Sequence, residues 1–172
     1  AAKNLSDTIS EITVLDPTDN CPAAQAGAKQ IVGYFKDEDA IVKLAEQSDI
    51  ITYEIESGNT DVLSKLNAEI EPSPTTLGII QDKLLQKKFL SENELPVSQF
   101  YEITSLDDLR EKINDLGLPV LLKARRDAYD GRGNFKITSP DEIEKAYQHF
   151  DGKSLMVEKF VNFKMEVSVI AA

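Results

Sequence analysis

Lys123, Arg125, Arg126 and Arg132 fall within thirteen residues, KARRDAYDGRGNF (123–135), beside two carboxylates and two glycines. Gly131 and Gly133 flank Arg132, so backbone amides can approach an anion there without side-chain obstruction. Lys123 stands at the end of the apolar run LPVLL and aims a compact positive charge at the same place. Together these groups suit the neutralisation of a triphosphate. They equally suit a solvated hairpin turn, for which Asp-Gly is the common signal, and a short glycine pattern alone does not decide between the two.

A second pair of chemical groups follows. Glu158 and Glu166 stand on two expected strands, SLMVEKFV and FKMEVSVIAA, joined near Val161 and Asn162. A carboxylate at a hinge between apolar strands can accept from an adenine amine, and the backbone beside it can meet the rest of the base edge. A carboxylate further along can take two ribose hydroxyls. Either one taken singly is also an ordinary exposed strand residue of an acidic chain. Lys83 and Lys87 are spaced i, i+4 on one helix face, which by itself reads as a solvated face. Asp16 and the stretch from Glu54 to Glu56 end strands of the first portion, where open α/β sheets bind ligands.

The balance of the chain limits what these groups can serve. A formal net charge of −11 on 172 residues argues against nonspecific binding to nucleic acid or an anionic membrane. An anion site must therefore be local. Cys21 and His149 are each the single residue of their type, so an internal disulfide is excluded and a zinc site nearly so. No apolar run approaches the length of a membrane span, and no leader is recognisable, so the expectation is a cytoplasmic protein.

Two portions must position the groups. Up to about residue 72 the chain alternates short strands (ITVLD, KQIVGYF, SDIITYEIE) with short helices (DNCPAAQAGA, DEDAIVKLAEQ, NTDVLSKL), which implies a parallel sheet covered by helices. The PSP at 72–74 is the expected boundary between domains 1–72 and 73–172. Beyond it a single helix is expected through TTLGIIQDKLLQKKFLSENE, then strand PVSQFYEI and helix SLDDLREKINDLG with a core stripe of Leu106, Leu109, Ile113 and Leu116. Strands LPVLLKA and NFKITS, helix SPDEIEKAYQHF with a capping box at Ser139 and Glu142, and the two last strands complete an α+β portion built on antiparallel hairpins.

The words LDPTDNCPAAQ, TYEIE, PSPTTLGIIQDKLLQKKFL, LLKARRDAYDGRGNF and MVEKFVNFKMEVSV occur in that order from about Ile12 to the end of the chain. This series resembles the successive signature segments of the 5-(carboxyamino)imidazole ribonucleotide synthetase family, ATP-grasp ligases of purine biosynthesis. The resemblance implies a Rossmann-like parallel-sheet domain followed by part of an ATP-grasp domain. It also implies ATP-dependent carboxylation of 5-aminoimidazole ribonucleotide with bicarbonate, by way of carboxyphosphate, in a cytoplasmic homodimer. Other ATP-grasp ligases or transformylases share the strand lysine and the glutamate hinge but not these words; a fragment that binds nucleotide without catalysis is the remaining alternative.

Carried over residue by residue, the resemblance implies ATP contacts at Lys83 and Lys123. It implies a phosphate-covering loop at Ala128, Tyr129, Asp130, Gly131, Arg132, Gly133 and Asn134, with Tyr129 and Arg132 touching carboxyphosphate or the ribonucleotide. The adenine hinge falls on Glu158, Lys159, Phe160 and Val161, and the ribose contact on Glu166. Glu54 and Glu56 are secondary candidates for the amine substrate. Asp127 and Ala128 depart from the family's two small residues. Mg2+ is implied as well, with its acidic ligands expected past residue 172. The family's glycine-rich turn is likewise expected ahead of residue 1. The 172 residues are thus expected to be a piece of a longer protein and catalytically inert: alone they should be poorly soluble, because an unfinished sheet edge invites association, or soluble but silent in an ADP-release assay.

Overall fold

The computed structural model describes residues 8–127 and 133–169. The chain divides into two compact units, Ala1–Ile80 and Gln81–Ala172.

In the first unit, strand β1 (Thr13–Asp16) runs parallel to β2 (Lys29–Val32), with helix α1 (Pro22–Gln25) between them. Proline at its first position suits a helix start, where the missing N–H has no partner to lose. Helix α2 (Glu38–Ala45) begins where the Asp37 carboxylate accepts from the Ala40 N–H at 3.0 Å. Its first-turn acids Glu38 and Asp39 complement the helix dipole. A second parallel pair, β3 (Ile50–Ile51) with β4 (Glu69–Ile70), brackets helix α3 (Thr60–Leu63). Helix α4 (Pro74–Ile80) follows the PSP and sends Leu77 into a core with Ile41, Ile51, Val62, Leu63 and Ile70.

Two expectations need correction here. SDIITYEIE is a strand only at Ile50 and Ile51, because β4 offers just two residues of ladder; Glu54 and Glu56 lie in the exposed bend and turn that follow. The long helix after the PSP is two helices. Asp82 adopts an extended backbone (φ −120°, ψ 109°) and its carboxylate caps α5 (Lys83–Glu92), accepting from the N–H groups of Leu84 and Leu85. An aspartate able to satisfy two orphan amides restarts the helix rather than continuing it.

The second unit holds a four-stranded antiparallel sheet in the order β5 (Phe100–Ile103), β8 (Leu155–Lys159), β6 (Val120–Ala124), β7 (Asn134–Ile137). Strand alternation splits this sheet into two faces. Val120, Leu122, Ala124, Ile137, Leu155, Val157 and Ile103 form one core with α6 (Leu106–Leu116) and α7 (Ile143–His149). Leu121, Lys123, Met156, Glu158, Phe100 and Glu102 alternate with them and belong to the other face. Helix α6 starts at Ser105, whose hydroxyl accepts from the Asp108 N–H, and stops at Gly117 (φ 69°), a conformation that favours glycine. The capping box at Ser139 and Glu142 is present; it opens a 3-10 turn (Pro140–Glu142) that leads into α7.

The described part of FKMEVSVIAA does not form the expected last strand. Its described residues, 163–169, are exposed and outside any ladder. A hairpin back onto β8 is unavailable, since β5 and β6 already occupy both of its edges.

Candidate functional site: a charged sheet face beside the hairpin β6–β7

Lys123 is the fourth residue of β6 and pairs in register with Asn134 of β7. The hairpin closes where the Ala124 N–H donates to Gly133 O at 3.0 Å. Five of the loop residues singled out above (Ala128, Tyr129, Asp130, Gly131 and Arg132) lie outside the described residues. Asp127, at the loop's entry, has φ 52°, a left-handed conformation where glycine would be free of strain.

Glu158 is the centre of the face. It is 6% exposed, and each of its oxygens has its own cation. Lys123 Nζ lies 2.5 Å from Oε1, and Lys87 Nζ lies 2.7 Å from Oε2. The Ser98 hydroxyl bridges the second pair, accepting from Lys87 at 2.8 Å and donating to Oε2 at 3.2 Å. Burial pushes the Glu158 carboxyl up, but the hydrogen bonds from Lys123 and Lys87 outweigh it and hold the group below the usual glutamate range. Glu158 thus meets two ammonium groups, where the sequence suggested an open acceptor. The Lys87 that reads as a solvated helix position is half-buried and paired. Sequence spacing gave no hint of this, because the partners lie 71 positions apart, from residue 87 to residue 158.

A second cluster fixes the helix α5 to the sheet. Asp82, 2% exposed, receives Arg125 Nε at 3.0 Å and Nη2 at 2.6 Å, a two-pronged contact. Arg126 Nε adds a contact at 3.3 Å, and Arg125 Nη1 reaches Glu102 at 2.5 Å. Burial again acts against the Asp82 charge, and Arg125 more than offsets it, leaving the carboxyl below its ordinary value. Arg125 is raised further above its already high value, chiefly by its hydrogen bond to Asp82. Two of the four cations that suggested an anion site are therefore committed to Asp82. Lys83, the next residue, donates its N–H to Arg125 O at 2.9 Å, and its Nζ lies 3.4 Å from Ala124 O. The start of α5 is thereby tied to the end of β6, with Lys83 against the carbonyl of the residue that follows Lys123.

The other hinge residues are distributed differently. The Lys159 side chain donates to Gly117 O at 2.8 Å and so caps the end of α6, while its N–H donates to Gln99 O and the Phe160 N–H to Pro119 O. The Phe160 ring sits under Lys136 Nζ, 3.7 Å from its centre. Val161 and Glu166 are exposed, Glu166 in the segment without a ladder. Glu54 and Glu56 belong to the first unit. Among the described residues, no group of three or more His, Cys, Asp or Glu is placed to hold a metal, and no helix is long and apolar enough to cross a membrane.

Residues 2–81 match the ribonucleotide synthetase preATP-grasp domain model and residues 88–172 the ATP-grasp domain model. Among curated relatives, the phosphoribosylaminoimidazole carboxylase of Schizosaccharomyces pombe is 39% identical over 88% of this chain and 28% of its own length. The N5-carboxyaminoimidazole ribonucleotide synthase of Brucella melitensis is 37% identical over 94% of this chain and 46% of its own. The crystal structure of N5-carboxyaminoimidazole synthase from Aspergillus clavatus, in complex with ADP and 5-aminoimidazole ribonucleotide, superposes with a TM-score of 0.85 at 32% identity, covering 95% of this chain and 44% of that one. The chain spans less than half the length of these relatives. Both of its units and the order of its signature segments agree with one line of descent: the chain belongs to the ATP-grasp family, among the N5-carboxyaminoimidazole ribonucleotide synthetases.

Proposed function

We propose that the full-length protein uses ATP to carboxylate 5-aminoimidazole ribonucleotide with bicarbonate, giving 5-(carboxyamino)imidazole ribonucleotide, ADP and phosphate. The observation that carries this reading is the Lys123–Glu158 pair at the base of the β6–β7 hairpin, with Lys83 held against the neighbouring Ala124 carbonyl, in a chain similar to an N5-carboxyaminoimidazole ribonucleotide synthase. In this reading Lys123 and Lys83 take the polyphosphate, Glu158 to Val161 take the adenine edge, and Glu166 takes the ribose. Tyr129 and Arg132 act on the carboxyphosphate or the ribonucleotide, and Gly131, Gly133 and Asn134 line the phosphates. Glu54 and Glu56 remain candidates for the amine substrate.

The chemistry requires that an anhydride of bicarbonate and phosphate survive long enough to meet the amine. Binding groups must therefore hold the phosphates and keep water out. Mg2+ would neutralise charge on the transferred phosphoryl group; its ligands are assigned to the part of the protein past residue 172. The same reading takes the portions 1–72 and 73–172 as the two domains and the protein as a cytoplasmic homodimer. The test is ADP release by the full-length protein, with bicarbonate and 5-aminoimidazole ribonucleotide each supplied and withheld. Release that depends on both supports the assignment. Release indifferent to the ribonucleotide overturns it.

A further inference from the structure

The Glu158 cluster contains a cation that the proposed reaction does not use. Lys123 places its ammonium on Glu158 Oε1, so a nucleotide phosphate competes with that carboxylate for the same charge and tends to draw it off. A buried carboxylate stripped of its only counter-ion would take up a proton and stop accepting from an amine. Lys87 removes that difficulty. It approaches the opposite oxygen, Oε2, and is held there by Ser98, so it can stay when Lys123 leaves.

We infer that Lys87, seated by Ser98, is a positioning residue that keeps Glu158 fixed and negatively charged while Lys123 moves from that carboxylate to the phosphates of a bound nucleotide. This rests on the nucleotide reading above and adds a division of labour within it: one exchangeable lysine and one resident lysine on a single carboxylate. Among the described residues, the groups facing Glu158 are few. From α5 comes Lys87, from β6 come Lys123 and the apolar Leu121, from the segment before β5 comes Ser98, and from β5 comes Phe100. Glu102, two residues further along β5, is engaged by Arg125, and Lys83 Nζ lies on the Ala124 carbonyl.

The test is titration calorimetry of the full-length protein with ADP, in two buffers of different ionisation enthalpy, across pH 6 to 8. Wild type should bind ADP with little net proton exchange at Glu158. Lys87→Met leaves Lys123 as the one described cation on Glu158 in the free protein, with Ser98 still donating to Oε2, so the fold survives, but binding should then take up close to one proton. Its affinity should fall as pH rises, by up to about tenfold per pH unit. Lys87→Arg should restore most of the wild-type profile, and adding Glu158→Gln to Lys87→Met should abolish the proton uptake. Lys87→Met with wild-type affinity and no uptake, in a protein where Lys123→Ala does weaken ADP binding, would overturn this inference alone. Lys123→Ala with unchanged ADP affinity, or a wild type that binds no ADP, would instead overturn the nucleotide reading and this inference with it.

Discussion

Asp82 does two jobs, and substitution can separate them. Its carboxylate caps α5 and receives the Arg125 guanidinium through two hydrogen bonds, all at 2% exposure. Asp82→Asn keeps an oxygen for the Leu84 N–H but removes the charge and turns an amide donor toward Arg125. Removing one partner of a buried ion pair costs about 3–5 kcal/mol. Arg125 retains Glu102, whose side chain is 47% exposed, so a loss at or just below the bottom of that range, about 2–3 kcal/mol, is expected here. Asp82→Ala also loses the cap, adding about 1 kcal/mol. Against a typical domain stability of about 5–15 kcal/mol these are visible losses. Urea unfolding of the full-length protein, followed by hydrogen exchange at the α5 amides, measures both. Acidification supplies an internal control. The folded-state value of Asp82 is depressed, so its contribution is complete above the unfolded value and is lost as pH falls through the folded one. Wild type and Asp82→Asn should therefore begin to converge below about pH 4 and meet only once pH has fallen through the lower folded value. Coincident unfolding midpoints at neutral pH would refute the ion-pair argument, and equal losses in the two variants would refute the cap.

Other perturbations test other parts. Lys123→Ala should weaken ADP binding by about 1.5–3 kcal/mol, roughly ten- to hundredfold, and Lys123→Arg should also weaken it because a planar fork replaces a point charge; calorimetry with unchanged affinity would remove Lys123 from the site. Arg132→Ala should lower turnover in the coupled ADP assay more than it lowers ATP affinity, since its proposed partner is the reacting carboxyphosphate. Gly33→Ala should destabilise the first unit by about 1–3 kcal/mol, because the new methyl would lie 2.8 Å from Ala40 Cβ, which has no rotamer to escape into. Glu142 is depressed by the Thr138 N–H and hydroxyl and by the Ser139 N–H, so its help to the start of α7 should be complete above the usual glutamate range and vanish as pH falls through the lower folded value; Glu142→Gln in acid melts should remove that pH dependence.

Periodicity and caps made most elements legible. The alternation in LPVLLKA and the stripe of α6 follow from burying one face, which is a local demand on the chain. The break at Asp82 was harder to see, since nothing apolar is interrupted there: Leu77, Ile80, Leu84 and Leu85 keep a helical spacing across it. What ends α4 is a side chain with two helix amides and an arginine 43 positions away to satisfy, and the second half of that demand is invisible locally. The last strand failed for a related reason. A hairpin partner needs a place beside the strand before it, and sheet order takes that place, with β8 inserted between β5 and β6.

The charged residues show the same limit in sharper form. The sequence displays a crowd of cations and invites the conclusion that all of them await an anion. Sheet register says otherwise: Arg125 shares with Lys123 the parity that turns side chains to the charged face, and there it meets Asp82 and Glu102. Arg126 joins the same aspartate. Of the described cations near the loop, Lys123 has the partner best suited to exchange, because Glu158 loses no charge balance when Lys87 remains. On the proposed reading, an acidic protein can in this way keep Lys123 ordered and ready without leaving its charge unpaired. The committed arginines hold the strand from which that lysine projects, so their contribution to anion binding runs through geometry. If they bound the nucleotide directly, Arg125→Lys would weaken ADP binding by removing contacts and leave the α5 amides as protected as before. If they act by holding α5 to β6, the same variant should loosen those amides in hydrogen exchange first, and weaken ADP binding only to that extent, because a lysine cannot reproduce the two-pronged grip on Asp82.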